Sequence, residues 1–288
     1  MTKKALVIGC GFLGSHILNE LKNSGIFAVG THINPIEKNM LKIDVTNINS
    51  IEGCVLKLNP DLIINCAANV NIDYLENNPD LAFSVNAYGT KNIALISKRK
   101  KIKLIHISTD GVFDGKRGNY SEQDIVNPIN IYAKSKALAE KLVKEISDES
   151  IIVRTNFYGN DSNGKFLFNR ILSTLRKGKQ ITGFADVIFT PLEVSNLGKM
   201  VSELAMINYN GIIHLASNEI MSKYQFALKI AENFGMGRNL VKKGSIDDLK
   251  LIAKRPKNTS LVNKKAKQLL KTPITTVEEW LKKICDEI

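Results

Sequence analysis

The stretch "KKALVIGCGFLGSHILNELKNSG", residues 3 to 25, limits what this chain can become more than any other. A short apolar run enters Gly9, Gly11 and Gly14 and then becomes a pattern with apolar positions on one helix face, as a strand, a tight turn and a helix would. At such a turn Gly9 permits the bend, Gly11 lets the backbone approach a pyrophosphate, and Gly14 lets the helix lie close on the strand. The helix start then offers free N–H groups and the positive end of its dipole to phosphates. Glycines also end strands for structural reasons alone, so the spacing carries weight only through its place at the first strand.

The rest of the first half repeats the theme. Strand-like runs at 5–9, 27–31, 61–66, 103–108 and 150–155 alternate with helical patterns at 12–24, 47–58, 79–98 and 131–147. That alternation predicts a doubly wound Rossmann-type α/β fold, with a parallel sheet covered on both faces and ligands beyond the carboxyl ends of its strands. After about residue 156, helical patterns at 165–177, 193–207, 222–235 and 274–287 dominate, with short strand candidates such as "GIIHLAS" at 211–217. We therefore expect a dinucleotide-binding domain at 1–156 and a smaller, mainly C-terminal α/β substrate-binding portion at 157–288, with an interleaved boundary.

Composition excludes several alternatives. At 44% hydrophobic and 24% charged residues, the chain is neither disordered nor fibrous. It has no apolar run long enough to cross a bilayer, so no membrane partner is expected and the expected location is the cytoplasm. Cys10, Cys54, Cys66 and Cys285 are scattered without a C-x-x-C pair, which argues against a disulfide framework and against a zinc site. The net charge of +12 suits an anionic ligand such as a nucleotide. The lysines are spread out except for "SKRKKIK" at 97–103, which reads as a solvated helix end, and no nucleic-acid recognition motif accompanies them.

An acid at the end of the second strand would select NAD through its ribose. The segment there is "VGTHINPIEK", with Thr31 and His32 in that place and Lys38 nearby. Without the carboxylate a 2′-phosphate is not repelled, so the reading leans to NADPH over NADH.

Tyr132 and Lys136, four residues apart in "IYAKSKALAE", emerge on one face of a predicted helix. With 40 Lys and Arg in the chain, about one of the seven tyrosines should have such a partner by chance, so context must decide. The pair opens the helix after the fourth strand, which ends in Ser108, Thr109 and Asp110 at the ligand-bearing edge of the sheet. A tyrosine near its ordinary pKa of about 10 is a poor acid–base group at neutral pH. An ammonium about 4 Å away supplies the roughly 4 kcal/mol needed to bring it to about 7. On this basis Lys136 activates Tyr132 as a proton donor, and Thr109 orients the substrate oxygen.

These residues, with "GFLG" (11–14), "KIDVTN" (42–47), "NCAANVNIDYLENNPDLAFSVNAYGTKNIA" (65–94), "ISTDGVFDG" (107–115), "YAKSK" (132–136) and "RPKNTSL" (255–261), resemble the extended short-chain dehydrogenase/reductases, most closely their dTDP-4-dehydrorhamnose reductase branch. The resemblance covers nearly the whole chain. It implies a catalytic triad of Thr109, Tyr132 and Lys136, and NAD(P)H-dependent reduction of the 4-keto group of a nucleotide-activated deoxysugar for cell-surface polysaccharide synthesis. It implies cofactor contacts from Gly9, Gly11, Phe12, Leu13, Gly14, His32, Asp44, Val45, Cys66, Ala67, Ala68, Asn86, Tyr132 and Lys136. Asp110, Val112, Phe113 and Arg255 would meet the sugar nucleotide, the arginine fork suiting a diphosphate.

Three positions depart from the family pattern. Ile8 stands where the first loop glycine is usual, Gly111 replaces an aromatic, and the later substrate segment reads "TPLEV" at 190–194. Gly111 also replaces the glutamate that related 4,6-dehydratases use for elimination, which disfavours dehydration. An epimerase, or a non-catalytic regulatory subunit like that of methionine adenosyltransferase, remains an alternative, with a homodimer left open.

Overall fold

The computed structural model describes residues 3–35, 40–161, 164 and 166–287. Its centre is a parallel sheet of seven strands. Six come in chain order: β1 Lys4–Ile8, β2 Phe27–His32, β3 Leu41–Lys42, β4 Leu62–Asn65, β5 Lys103–Ile107 and β6 Ile151–Thr155. The seventh is Gly211–Leu215, and the order across the sheet is Gly211–Leu215, β6, β5, β4, β1, β2, β3. From β1 the chain first winds one way through β2 and β3 and then returns to add β4, β5 and β6 on the other side of β1. The reversal therefore lies between β1 and β4, where a crevice opens beyond the strand ends.

The strands are apolar on both faces because helices cover both. Alternation along each strand sorts them into two cores. Ala5, Val7, Leu62, Ile64, Ile105 and Val153 face α1 (Phe12–Asn23) and the helix Val194–Met206. Leu6, Ile8, Ile63, Leu104 and Ile152 face Ile51 and Val55 of α2 (Ile48–Leu58) together with later helices. Those later elements are α3 (Ile72–Glu76), α4 (Pro79–Ala82), a π-helix Phe83–Tyr88, α5 (Gly89–Lys100) and α6 (Ile131–Ile146). The helical run expected at 79–98 is thus divided by a π turn, which shifts the phase of its side chains. Lys98, Arg99 and Lys100 form the exposed basic last turn of α5, where cations complement the helix dipole.

Residues after 156 contribute to both ends of the molecule. The helix Val194–Met206 completes one face of the sheet through Leu197, Val201 and Leu204, and Gly211–Leu215 extends the sheet beyond β6. A separate core gathers Tyr158, Phe168, Ile171, Phe226, Ile230 and Trp280. It carries a small parallel pair, Ile181–Phe184 with Val241–Gly244. Two-residue strands such as β3 are too short to show a period, so no sequence signal marks them.

Candidate active site

The glycine loop is built on backbone contacts. Gly9 has φ of +89°, and a Cβ there would lie 2.5 Å from the nitrogen of Ala67. The N–H groups of Gly9 and Cys10 both donate to the carbonyl of Thr31, at 3.1 and 2.8 Å. A Cβ on Gly14 would meet the carbonyl oxygen of Gly9 at 2.3 Å, so this glycine lets the helix close on the loop itself rather than only on the strand. Gly11 is different: nothing lies within 4 Å of where its Cβ would be. As N-cap of α1 it provides no side-chain hydrogen bond. The loop therefore presents open backbone at a helix start, the cradle a pyrophosphate requires.

Phe12 packs on Phe157 and Phe166, and Leu13 is buried in the core. Contacts from these two to a phosphate would come through the backbone. His32 ends β2, its Nδ1 lying 2.8 Å from the Asn34 carbonyl oxygen and 3.0 Å from the Asn34 nitrogen, so that the ring tautomer sets which of the two it bonds; Lys38 lies outside the described residues. Asp44 Oδ1 accepts from the N–H and hydroxyl of Thr46 at 2.9 and 2.7 Å. Val45 is buried, so close to Gly89 that a Cβ there would sit 2.6 Å from its methyl. Cys66, Ala67 and Ala68 run on from β4, the Cys66 N–H donating to the carbonyl of Ile8 at 2.8 Å, so this segment borders the loop. Asn86 is fully buried and works as a strut. Its Oδ1 accepts from the Asn69 N–H at 2.8 Å, and its Nδ2 donates to the Asn69 carbonyl and to Ser135 Oγ, both at 3.0 Å.

The chemical end begins where β5 stops. Thr109 caps a short 3-10 turn, accepting from the Gly111 N–H at 3.1 Å and donating to Asp110 Oδ1 at 3.1 Å. Asn130 caps α6 by accepting from the Ala133 N–H at 2.9 Å, and its Nδ2 holds the carbonyl of Lys254, which fixes Tyr132 in the first turn. Tyr132 opens onto a cavity of about 540 Å³ that Thr109, Asp110, Gly111, Lys223 and Arg255 also line. Its depth in the molecule pushes the phenol up to about 12, the Thr109 hydroxyl opposing the shift and the Asp110 charge adding to it.

The spacing predicts that Lys136 acts on Tyr132, but Lys136 is not among the groups that shift the phenol, and its bonds go elsewhere. Its Nζ donates to the carbonyl of Ile107 at 2.7 Å and lies 3.3 Å from His106 Nε2. Burial holds this amine down to about 8, with Glu140 and Cys66 acting the other way. A four-residue spacing fixes the helix face but leaves a long side chain free to choose its partner, and here the chosen partners are on β5.

One further expectation needs correction, and two others need qualifying. Val112 and Phe113 do not line the cavity; both are fully buried, with Phe113 stacked on Tyr120 at 4.2 Å between ring centres. Apolar residues after a strand end are drawn first to the core. Asp110 does reach the cavity wall, yet its carboxylate accepts from Asn156 at 2.8 Å and Thr259 at 2.5 Å, and burial raises its pKa in spite of those bonds. Arg255 is committed within the chain, to Asp73 Oδ2 and to the Ala253 carbonyl, each at 2.7 Å. Arg255 nevertheless lines the cavity.

The feature that sequence reasoning missed is Lys223. It starts the helix Lys223–Asn233, lines the cavity, and holds its Nζ 3.3 Å from the centre of the Phe189 ring. Burial lowers it to about 7, opposed by Asp110. Nothing local in "MSKYQFA" sets this lysine apart; only the tertiary fold brings it opposite Asp110. Among the described residues no cluster of three or more metal-ligating side chains occurs, and no helix is long and apolar enough to cross a membrane.

Comparison with known proteins agrees with this architecture. The family model described as RmlD substrate binding domain matches residues 3–288. The chain is 31% identical, over 89% of its length and 89% of the relative's, to the probable low-salt glycan biosynthesis reductase Agl14 of Haloferax volcanii. It is 28% identical to methionine adenosyltransferase 2 subunit beta of Bos taurus, over 90% of this chain and 80% of that one. Among solved structures, dTDP-4-dehydrorhamnose reductase from Bacillus anthracis in complex with NADP superposes with a TM-score of 0.89 at 31% identity, covering 100% of both chains.

Proposed function

The chain belongs to the RmlD substrate binding domain family, and from that premise we propose that it reduces the 4-keto group of a nucleotide-activated deoxysugar with NADPH, or less readily NADH. The observation that carries the reading is the meeting of Thr109 and Tyr132 on one cavity wall, at the strand-end edge that also carries the open glycine loop. The cofactor would lie from Gly11 across Cys66, Ala67 and Ala68 toward Lys136, and when bound it would supply a hydride to the keto carbon. The part up to about residue 156 holds that cofactor, and the later part closes over the sugar nucleotide.

The chain's own residues supply the rest. Tyr132, held as a neutral phenol by burial, gives its proton to the oxygen that becomes negative during reduction. Thr109 orients that oxygen, provided its hydroxyl turns from Asp110 to the substrate. Arg255 and Lys223, the two cations on the cavity wall among the described residues, are placed to meet the diphosphate and the sugar's polar edge. Catalysis is favoured over a purely structural subunit role because all three triad residues are present and the cavity beside them is open.

The deciding experiment is a spectrophotometric assay with NADPH and NADH against a dTDP-4-keto-6-deoxy-L-sugar generated in situ. Substrate-dependent oxidation, faster with NADPH, is expected. Cofactor binding without oxidation would favour the subunit reading, and turnover that leaves the cofactor unchanged would mark an epimerase.

A further inference from the structure

Behind Lys136 runs a chain of hydrogen bonds with a fixed direction. It starts on the π-helix, where the Asn86 carbonyl accepts the Thr90 hydroxyl hydrogen at 2.8 Å. With its one hydrogen committed, Thr90 Oγ1 can only accept, and it does so from Asn65 Nδ2 at 3.1 Å. The Asn65 amide cannot be turned round, because its Oδ1 accepts the Ala67 N–H at 3.1 Å. Asn65 Nδ2 also faces His106 Nδ1 at 3.2 Å, so that ring nitrogen must carry the lone pair. A neutral imidazole has a single N–H, and the network assigns it to Nε2, which is 3.3 Å from Lys136 Nζ. His106 is fully buried, and burial above all holds its pKa well below the usual value, the Lys136 charge adding to this whenever that lysine is protonated, so the ring stays neutral in either state of the lysine.

An N–H aimed at an amine is a hydrogen bond only when that amine has a lone pair, and an ammonium has none. We infer that His106 is a positioning residue that favours the neutral amine form of Lys136 over the ammonium, and that this preference is lifted when the hydroxyls of a dinucleotide ribose replace the imidazole contact, so that a neutral Lys136 then takes up a proton. The second half of this statement rests on the functional reading above; the first half does not.

The other groups around Lys136 leave the inference intact. Glu140, one turn along α6, gives both carboxylate oxygens to Arg154, at 3.1 Å to Nε and 2.7 Å to Nη2, and accepts from Ser108 at 2.5 Å. Cys66, after β4, is kept a neutral thiol by burial. Tyr132 is a neutral phenol. The Ile107 carbonyl on β5 accepts equally from an amine or an ammonium.

The chain has four histidines, few enough for nitrogen-15 NMR to read each tautomer, with His106→Phe supplying the assignment. His106 should show the Nε2–H pattern from about pH 6 to about pH 9 without becoming an imidazolium. Its Nε2 shift should step near pH 8 as Lys136 titrates, and the step should vanish in Lys136→Met. An Nδ1–H pattern, or a titrating imidazolium, overturns the assignment. Asn65→Asp should reverse the chain: its carboxylate accepts an Nδ1–H, Nε2 becomes an acceptor, and the lysine step moves up by about one pH unit or more. If that variant does not fold, the unmodified protein's spectrum decides alone.

Calorimetry of NADPH binding at about pH 9, in two buffers of different ionisation heat, should show uptake of about one proton. Binding without uptake overturns the coupling. Absence of NADPH binding overturns the functional reading, while the tautomer still decides the role of His106.

Discussion

At the glycine loop, almost nothing depends on which side chains are present. Gly9 and Gly14 fit because a Cβ would strike backbone, and Gly11 leaves main-chain surface open. At the other end of the same cleft, side chains decide everything: Thr109, Asp110, Asn156 and Thr259 are bonded to one another, and Lys136 is held by β5. One end is a shape made by omission, the other an arrangement made by mutual commitment. A shape of the first kind tolerates little added volume, whereas the second kind fails by losing or gaining a proton in the wrong place.

Three substitutions would break or sharpen that contrast. Tyr132→Phe removes one hydroxyl from the chemical end and should lower kcat by about 10² to 10⁴-fold. NADPH affinity, measured by fluorescence titration, should change by less than about threefold, because the phosphate end is untouched. Equal kcat in the variant would remove Tyr132 from the role of proton donor. Gly9→Ala attacks the other end, adding left-handed strain to a clash with Ala67, about 3 kcal/mol together. Thermal unfolding should fall by roughly 6 to 12 °C on that figure, with cofactor binding lost alongside; an unchanged melting temperature would show that the loop can relax.

Lys223→Met should have the smallest effect, a rise in KM of about tenfold at pH 6 from the loss of one charge-assisted bond. At about pH 8.5 the rise should be smaller, since Lys223 titrates near 7 and is then mostly neutral. Stability should move the other way. Between about pH 7 and about pH 10.4 the unfolded chain binds a proton at Lys223 that the folded chain does not, so wild-type stability rises with pH across that window. The methionine variant should therefore gain most on wild type below about pH 7 and lose the advantage toward pH 10.4. Parallel urea titrations of the two proteins at pH 6 and pH 10 would measure the difference, and identical pH slopes would mean that Lys223 carries its charge freely.

The phosphate end and the sheet were legible because their signals are local. A strand, three glycines and a helix follow one another in the first 25 residues, and alternating apolar runs mark β1, β2, β4, β5 and β6 to within one or two residues. That Thr109 and Tyr132 share a cavity wall was also legible, since both sit at ends of elements that the pattern places at one edge of the sheet. What the sequence hid is choice of partner. Phe113 could face a cavity or Tyr120, and stacking on Tyr120 prevails. Arg255 looks like a free anion ligand until Asp73 arrives from about 180 residues away.

Asn65 and His106 did leave a trace. Each is a polar residue in a parallel strand otherwise made, apart from Lys103 at the start of β5, of buried apolar ones, and such a residue needs a partner that the strand itself cannot supply.

The seventh strand has a consequence for synthesis. β6 ends at Thr155, and its outer neighbour, Gly211–Leu215, follows only after nearly 60 more residues have been made. At about 5 to 20 residues per second, the growing chain carries β6 as an open edge for roughly 3 to 11 seconds. Until that strand arrives, the nascent first half offers unpaired N–H and C=O groups to any neighbouring chain. Its safety in a crowded ribosome queue depends on the speed of translation through residues 156 to 215 as much as on the energy of the finished fold.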